Sequence, residues 1–202
     1  MTEPIFDVVV VGSANLDLVA NLDHLPTPGE TLIALGYAEY PGGKGVNQAV
    51  ACARMGAKTA FVGCVGNDDA GMLLRSVLEG EGIDTSHLRT VSVPTGRAFI
   101  NVDSHGENAI VVVAGANAQV GVEDNFFIPH SRVVLAQLEV PLETIEVAFS
   151  QARSNGAVTV LNPAPARDIP ESLLSVANIV VPNETESSAI GGTKNLLSLG
   201  AA

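Results

Sequence analysis

Short runs rich in β-branched residues alternate with helical segments along this chain, and that rhythm restricts the fold more than any other feature. "DVVVV" (7–11), "TAFVGCV" (59–65), "RVVLAQL" (132–138), "AVTVL" (157–161) and "NIVVP" (178–182) read as strands that are apolar on both faces. Between them, Val46 to Met55, Ala70 to Glu79, Pro141 to Arg153 and Glu171 to Ala177 read as helices. In the first of these, Val46, Ala49, Val50 and Ala53 fall at i, i+3, i+4 and i+7, which makes one apolar stripe. Continuously apolar strands separated by helices predict an α/β core whose mostly parallel sheet is covered on both sides.

Two regions interrupt the rhythm. Residues 16–21 and 31–37 ("LDLVAN", "TLIALGY") and residues 95–102 and 108–113 ("TGRAFINV", "NAIVVV") read as strands with no helix between them. "DSHGE" (103–107) is a hairpin turn between the second pair. These segments predict a small antiparallel sheet inserted into the core, placed to act as a lid.

Composition removes several classes of function. The 202 residues are 47% hydrophobic and 16% charged, which suits one substantial core. The net charge of −12 comes with no basic cluster, so neither nucleic acid nor an anionic membrane is an expected partner. No apolar run approaches the roughly 18 residues of a membrane span, and "MTEPIFDVVVVG" lacks the basic start of a secretory signal. Cys52 and Cys64 show no metal or redox spacing and read as buried reduced thiols of a cytoplasmic protein. The four histidines are scattered, with no zinc motif among them.

In open α/β sheets ligands bind beyond the carboxyl ends of the strands, so the residues just past each strand are informative. The first strand runs into "GSANLD", giving Asn15 and Asp17. The strand at 132–138 ends in Glu139, that at 157–161 in Asn162, and that at 178–182 in Asn183-Glu184-Thr185-Glu186. Polar groups at four such ends point to a polyol or nucleotide crevice. Asn183-x-x-Glu186 also has the spacing of a helix capping box, and Asn162 also has the character of a turn former.

"PGGKGVNQAVACARMGA" (41–57) sets glycines, Lys44 and Asn47 at the threshold of a helix. It is not a Walker A loop, which would need glycine at 38 and Ser or Thr at 45, where the chain has Ala38 and Gly45. It is not a dinucleotide fingerprint either, because Gln48 stands where the third glycine belongs.

Taken together, these residues resemble the ribokinase branch of the PfkB carbohydrate kinases. "GGKGVNQAVACARMGAKTAFVGCVGNDDAG" (42–71) is similar to the superfamily's first signature almost throughout. "GSANLDLVANLDHLPTPGET" (12–31), "TGRAFINVDSHGENAIVVVAGAN" (95–117), "AQLEVP" (136–141), "LNPAPA" (161–166) and "PNETE" (182–186) come in the family's order, so the resemblance runs from residue 7 to about 190. It implies a ribokinase-like three-layer core over residues 1–202, with lid strands at about 16–37 and 95–113. It also implies ATP-dependent phosphorylation of D-ribose at its 5-hydroxyl.

The resemblance also implies roles for individual residues. Asp17 would accept hydrogen bonds from vicinal hydroxyls, with Asn15 a donor nearby. Gly42 and Gly43 would bring main chain close to the sugar, whose hydroxyls Asn47 would read, and Glu139 would also contact it. Lys44 would favour negative charge near the transferred phosphoryl group. Asn183 would serve the phosphate side and Glu186 the Mg²⁺. ATP is then the co-substrate and Mg²⁺ the cofactor, with room for a monovalent cation, and the lid would pair two copies into a homodimer.

The family's second signature, a D-T-x-G-A-G-D-like run, is absent, and no Gly-Ala-Gly-Asp occurs in the 202 residues. That run supplies the catalytic base and a phosphate-binding helix start, and the adenine pocket comes after it, so no residue of the chain is assigned as catalytic. The resemblance thus implies an incomplete domain whose C-terminal nucleotide-binding part is missing, and the segment "GGTKNLLSLGAA" after Ile190 reads as a shortened end. The expectation is a chain that is inactive alone but retains the sugar half of the site. Other PfkB kinases acting on fructose or nucleosides, a non-catalytic sugar-binding or dimerisation protein, and a non-functional fragment are the alternatives.

Overall fold

The alternation of strand and helix folds as two sheets of different character in a computed structural model, which describes residues 5–121 and 126–190. The larger sheet is formed by β1 (Phe6–Val11), β4 (Thr59–Gly66), β5 (Leu88–Val91), β8 (Ser131–Gln137), β9 (Val158–Asn162) and β10 (Ile179–Val180). Their order is β10-β9-β8-β1-β4-β5, and each neighbouring pair is parallel. Strand β1 lies centrally, and alternate residues serve opposite faces. Val9 and Val11 pack with Ile145 and Phe149 of α3 (Leu142–Ser154) and with Leu173 of α4 (Glu171–Val176). Val10 faces the other way, onto Val46 and Ala49 of α1 (Lys44–Arg54) and Leu74 and Leu78 of α2 (Asp69–Gly80). This is the expected three-layer α/β core, with apolar strands covered on both sides.

The stripe on α1 is present, with Val46 and Ala49 buried and Val50 and Ala53 packed at the edge of the same cluster. Helix α2 begins where Asp68 accepts a hydrogen bond from the Gly71 amide at 2.9 Å. Burial opposes ionisation of Asp68, but hydrogen bonds from Thr95 and Gly71 outweigh it and lower its pKa. The sequence did not mark β5, whose four residues carry too little pattern, nor the 3₁₀ turn Gly115–Gln119, whereas helix α5 (Glu184–Ala189) starts at the capping-box spacing of Asn183 and Glu186. Cys64 is buried as expected, Cys52 is half-buried, and neither forms a disulfide. No helix among the described residues is long and apolar enough to cross a membrane. The stretch after Ile190 read as a shortened end lies outside the described residues.

The second sheet has the order β3-β2-β6-β7 and is built from β2 (Asn15–Asn21), β3 (Gly36–Gly42), β6 (Gly96–Val102) and β7 (Asn108–Val113). It corrects two expectations. The lid is mixed rather than antiparallel, because its central pair, β2 with β6, is parallel from Asn15↔Gly96 to Asn21↔Val102. Both strands leave the core at the same place and run outward together. Only the hairpin partners β3 and β7 return antiparallel.

The strand placed at 31–37 in fact begins at Gly36. The apolar run before it, with Ile33 93% exposed, forms no strand. Pairing with β2 decides the position instead, setting Tyr40 opposite Asp17 and Gly42 opposite Asn15. Pro41 is tolerated because β3 is an edge strand. The turn at 103–107 is where the sequence put it, with Asp103 accepting from the amides of His105 and Glu107.

Candidate functional site

The chain after β1 and the start of α1 approach so closely that only glycine fits at several positions. A Cβ on Gly45 would lie 2.5 Å from the Ser13 nitrogen and 2.6 Å from the Gly12 carbonyl carbon, both main chain. Gly43, which caps α1, has φ +90° and its Cβ would meet the Asn15 nitrogen at 2.8 Å. A Cβ on Gly42 would fall 2.2 Å from a carboxylate oxygen of Asp17. The glycines therefore dock a helix start onto a strand end and leave space over Gly42 for the Asp17 carboxylate.

Overpacking at such a contact costs roughly 1–3 kcal/mol. Gly45→Ala is expected to lower the melting temperature by about 3–10 °C. Gly80→Ala, where nothing lies within 4 Å, serves as the control in the same thermal melts and should change it little. Equal behaviour of the two variants would contradict the docking role of Gly45.

Glu139, just beyond β8, is tied into this junction. Its Oε2 accepts hydrogen bonds from the Ser13 hydroxyl at 2.5 Å and from the Lys44 amide at 3.2 Å. The Gly45 amide in turn donates to Ser13 Oγ at 3.3 Å. One carboxylate thus joins the ends of β1 and β8 to the first turn of α1. Ser13 stood in the quoted "GSANLD" stretch, yet its role had no spacing to reveal it.

Asn15 is buried and its orientation is fixed by a second residue that the sequence did not single out. Asn117 donates to Asn15 Oδ1 at 2.7 Å and to the Ala14 carbonyl at 3.3 Å, while its own oxygen accepts from the Ala14 amide at 2.9 Å. With Oδ1 engaged, Asn15 has its NH₂ left as a donor. Asn15 and Asn117 line a cavity of about 340 Å³ together with Glu139, Leu138, Val112 and Arg167, at the small end of the range for ligand sites.

Asp17 lies two residues along β2 from Asn15, hence on the same face of the lid, and is half-buried. Burial raises its pKa above the ordinary 3.8, the negative Glu139 adds to that shift, and Lys44 opposes it. Asp17, Glu139 and Lys44 therefore interact electrostatically, although Asp17 and Lys44 flank the 340 Å³ cavity rather than line it. Asn47 is exposed and borders a separate groove with Pro41, Val46 and Arg54. The structure does not bring it into the cavity.

Asn183 and Glu186 stand past β10, at the same carboxyl edge of the sheet as Glu139. They form the capping box that the spacing allowed. Asn183 Oδ1 accepts from the Glu186 amide at 2.8 Å, and Glu186 Oε2 accepts from the Asn183 amide at 2.9 Å. Among the described residues no three His, Cys, Asp or Glu side chains gather into a metal-holding group.

Residues 6–199 match the pfkB family of carbohydrate kinases. A ribokinase from Haemophilus influenzae is 44% identical over 192 residues, covering 93% of this chain and 63% of that protein. The chain thus spans under two thirds of that curated relative. Among solved structures, a ribokinase from Thermotoga maritima superposes with a TM-score of 0.84 at 36% identity, over 97% of this chain and 69% of the other. The Arabidopsis thaliana ribokinase complexed with ribose and ATP gives 0.82 at 31% identity, over 100% of this chain and 68% of the other.

Proposed function

The chain belongs to the pfkB family of carbohydrate kinases, and on that premise we propose that its site is the sugar half of an ATP-dependent kinase converting D-ribose to D-ribose 5-phosphate. The observation that carries this reading is the junction of Asn15, Asp17 and Glu139 beside a small cavity at the carboxyl ends of β1 and β8. An ionised carboxylate accepts from hydroxyls, an amide NH₂ donates to them, and apolar walls such as Val112 and Leu138 cover the ring. Asp17 would take two sugar hydroxyls and Asn15 a third. Glu139 would act through its remaining carboxylate oxygen, since Oε2 already holds Ser13 and Lys44. Gly42 and Gly43 bring main chain to the same place. Asn47 would join only through movement of the lid or of the α1 start.

In the overall reaction the 5-hydroxyl oxygen attacks the γ-phosphorus of ATP. The bond from that phosphorus to the bridging oxygen breaks, ADP leaves, and the hydroxyl proton passes to a base. No residue of this chain is assigned as that base. Lys44 would attract the negative charge of the phosphoryl group. Asn183 and Glu186 would serve the phosphate and Mg²⁺ side. Mg²⁺ uses one or two carboxylates together with water and phosphate oxygens. Glu186 fits that demand, because the capping box engages only one of its two oxygens. Bound there, Mg²⁺ would neutralise phosphate charge. The 202-residue polypeptide alone would bind sugar without transferring phosphate, in the cytoplasm, where neither cysteine needs a disulfide.

The lid supports pairing of two copies. Strand β7 is exposed along its whole length although it reads Asn-Ala-Ile-Val-Val-Val, and Tyr37, Tyr40 and Phe99 are about half exposed or more. An open apolar edge strand seeks a partner.

Calorimetric titration with D-ribose, D-fructose and adenosine tests the reading. Saturable binding of ribose alone is expected. Tighter binding of fructose or adenosine would move the chain to another branch of the family.

A further inference from the structure

A connected row of three side-chain amides, which the sugar site does not use, spans four neighbouring strand ends. Gln137 ends β8 and Asn162 ends β9, directly opposite each other in the sheet register. Gln48 of α1 bridges them, accepting from Gln137 Nε2 and donating to Asn162 Oδ1 at 3.1 Å. Asn162 then donates to the carbonyl of Val181, just past β10, at 3.0 Å. At the far end the Gln137 side-chain oxygen is buried without a partner among the described residues and rests on Gly12, where a Cβ would lie 2.2 Å from it.

The direction of this row is forced. A backbone carbonyl can only accept, so Asn162 must turn its NH₂ to Val181 and its oxygen to Gln48. Gln48 must then turn its NH₂ to Asn162 and its oxygen to Gln137. The sequence of donors leaves the last oxygen orphaned in the protein interior. Buried unpaired acceptors are rare in native proteins and call for an explanation.

We propose that Gln48 is a positioning residue. Through this row of amides it sets the first turn of α1 against the loop that carries Asn183 and Glu186. Gln48 lies four residues after Lys44 and directly after Asn47, so fixing its side chain fixes the rotation of the helix turn that presents both. The other end of the row holds the main chain two residues before Asn183. The sugar side and the phosphate side are thereby held in register by uncharged groups. A carboxylate at 48 would lack the donor that Asn162 requires, and an apolar residue would orphan two further groups. The functional part of this inference rests on the sugar site proposed above.

Amide hydrogen exchange on Gln48→Met, which keeps side-chain length and removes both hydrogen bonds, tests the role together with ribose titration. Exchange at Asn183 and Glu186 is expected to quicken about tenfold or more while amides of α2 keep their wild-type rates. Ribose affinity is expected to fall several-fold in the same variant. Unchanged exchange at 183 and 186, or an equal rise across α2, would overturn the positioning role, the latter marking a general loss of stability. Should Gln48→Met fail to fold, Asn162→Ala at the exposed end of the row carries the same exchange prediction. Wild-type protein that binds no ribose would refute the sugar site, while the exchange result would still decide whether Gln48 positions the loop.

Discussion

Ribose-dependent ADP release by the 202-residue polypeptide is expected to run on the order of 10⁴–10⁷-fold below that of a pfkB sugar kinase that contains a Gly-Ala-Gly-Asp run. A positioned general base contributes roughly 10²–10⁴-fold, and one donor to developing negative charge roughly 10²–10³-fold. The resemblance implies that both would come from a Gly-Ala-Gly-Asp run, which the 202 residues do not contain. Mg²⁺, ATP and ribose in a coupled ADP assay measure the outcome. Turnover near the roughly 1–100 s⁻¹ typical of kinases would mean that other residues of the chain supply a base and a phosphate cradle.

The second large effect is expected at Asp17. Asp17→Asn removes the charged acceptor for two hydroxyls and should weaken ribose binding by roughly 1–3 kcal/mol, about 5- to 150-fold. The pH dependence has a definite sign. The Asp17 pKa is raised in the folded protein above 3.8, so the folded state holds its proton more tightly than the unfolded chain does. Stability associated with that proton is present below 3.8 and is lost as the pH rises through the folded pKa. At neutral pH the ionised Asp17 therefore weighs against folding, and the Asn variant should melt higher than wild type while binding sugar less well. The gap in melting temperature should close as the pH falls towards 3.8. Wild-type ribose affinity should decline over the same acid range, while that of the variant stays flat. A variant that binds ribose as wild type does, or that melts lower at neutral pH, would contradict the role of Asp17.

The core was legible because its signal is local and repeated. Apolar strands such as 59–65 and the stripe on α1 specify burial on both sides whatever their partners are. The lid was legible only in part, because its order depends on pairing between distant segments. β2 and β6 share an origin in the core and so run parallel, which hairpin signals cannot reveal. β3 is fixed by Asp17 and Asn15 across from it, and not by the more apolar residues 31–35.

The site divides in the same way. Asn15, Asp17 and Glu139, which the structure brings together, were marked by asking which residues come next after each strand, and the same question marked Asn183, which caps α5. Ser13, Asn117 and the row through Gln48 were missed because they act on other side chains more than 30 residues away in sequence. Gly42 and Gly43 were marked as a place where main chain approaches a ligand, and Gly45 was given no such role. The structure adds contacts within the protein itself, between a helix start, a strand end and the Asp17 carboxylate.

Everything proposed for the sugar depends on D-ribose being held where β1, β8 and α1 meet. Residue-resolved amide spectra, recorded while the labelled 202-residue chain is titrated with D-ribose, locate it. Saturable shifts are expected at Asn15, Asp17, Gly43, Lys44 and Glu139, all described by one dissociation constant. Saturable shifts confined to β7, to the groove bordered by Arg54, or to residues 183–190 would place the sugar elsewhere and contradict that location.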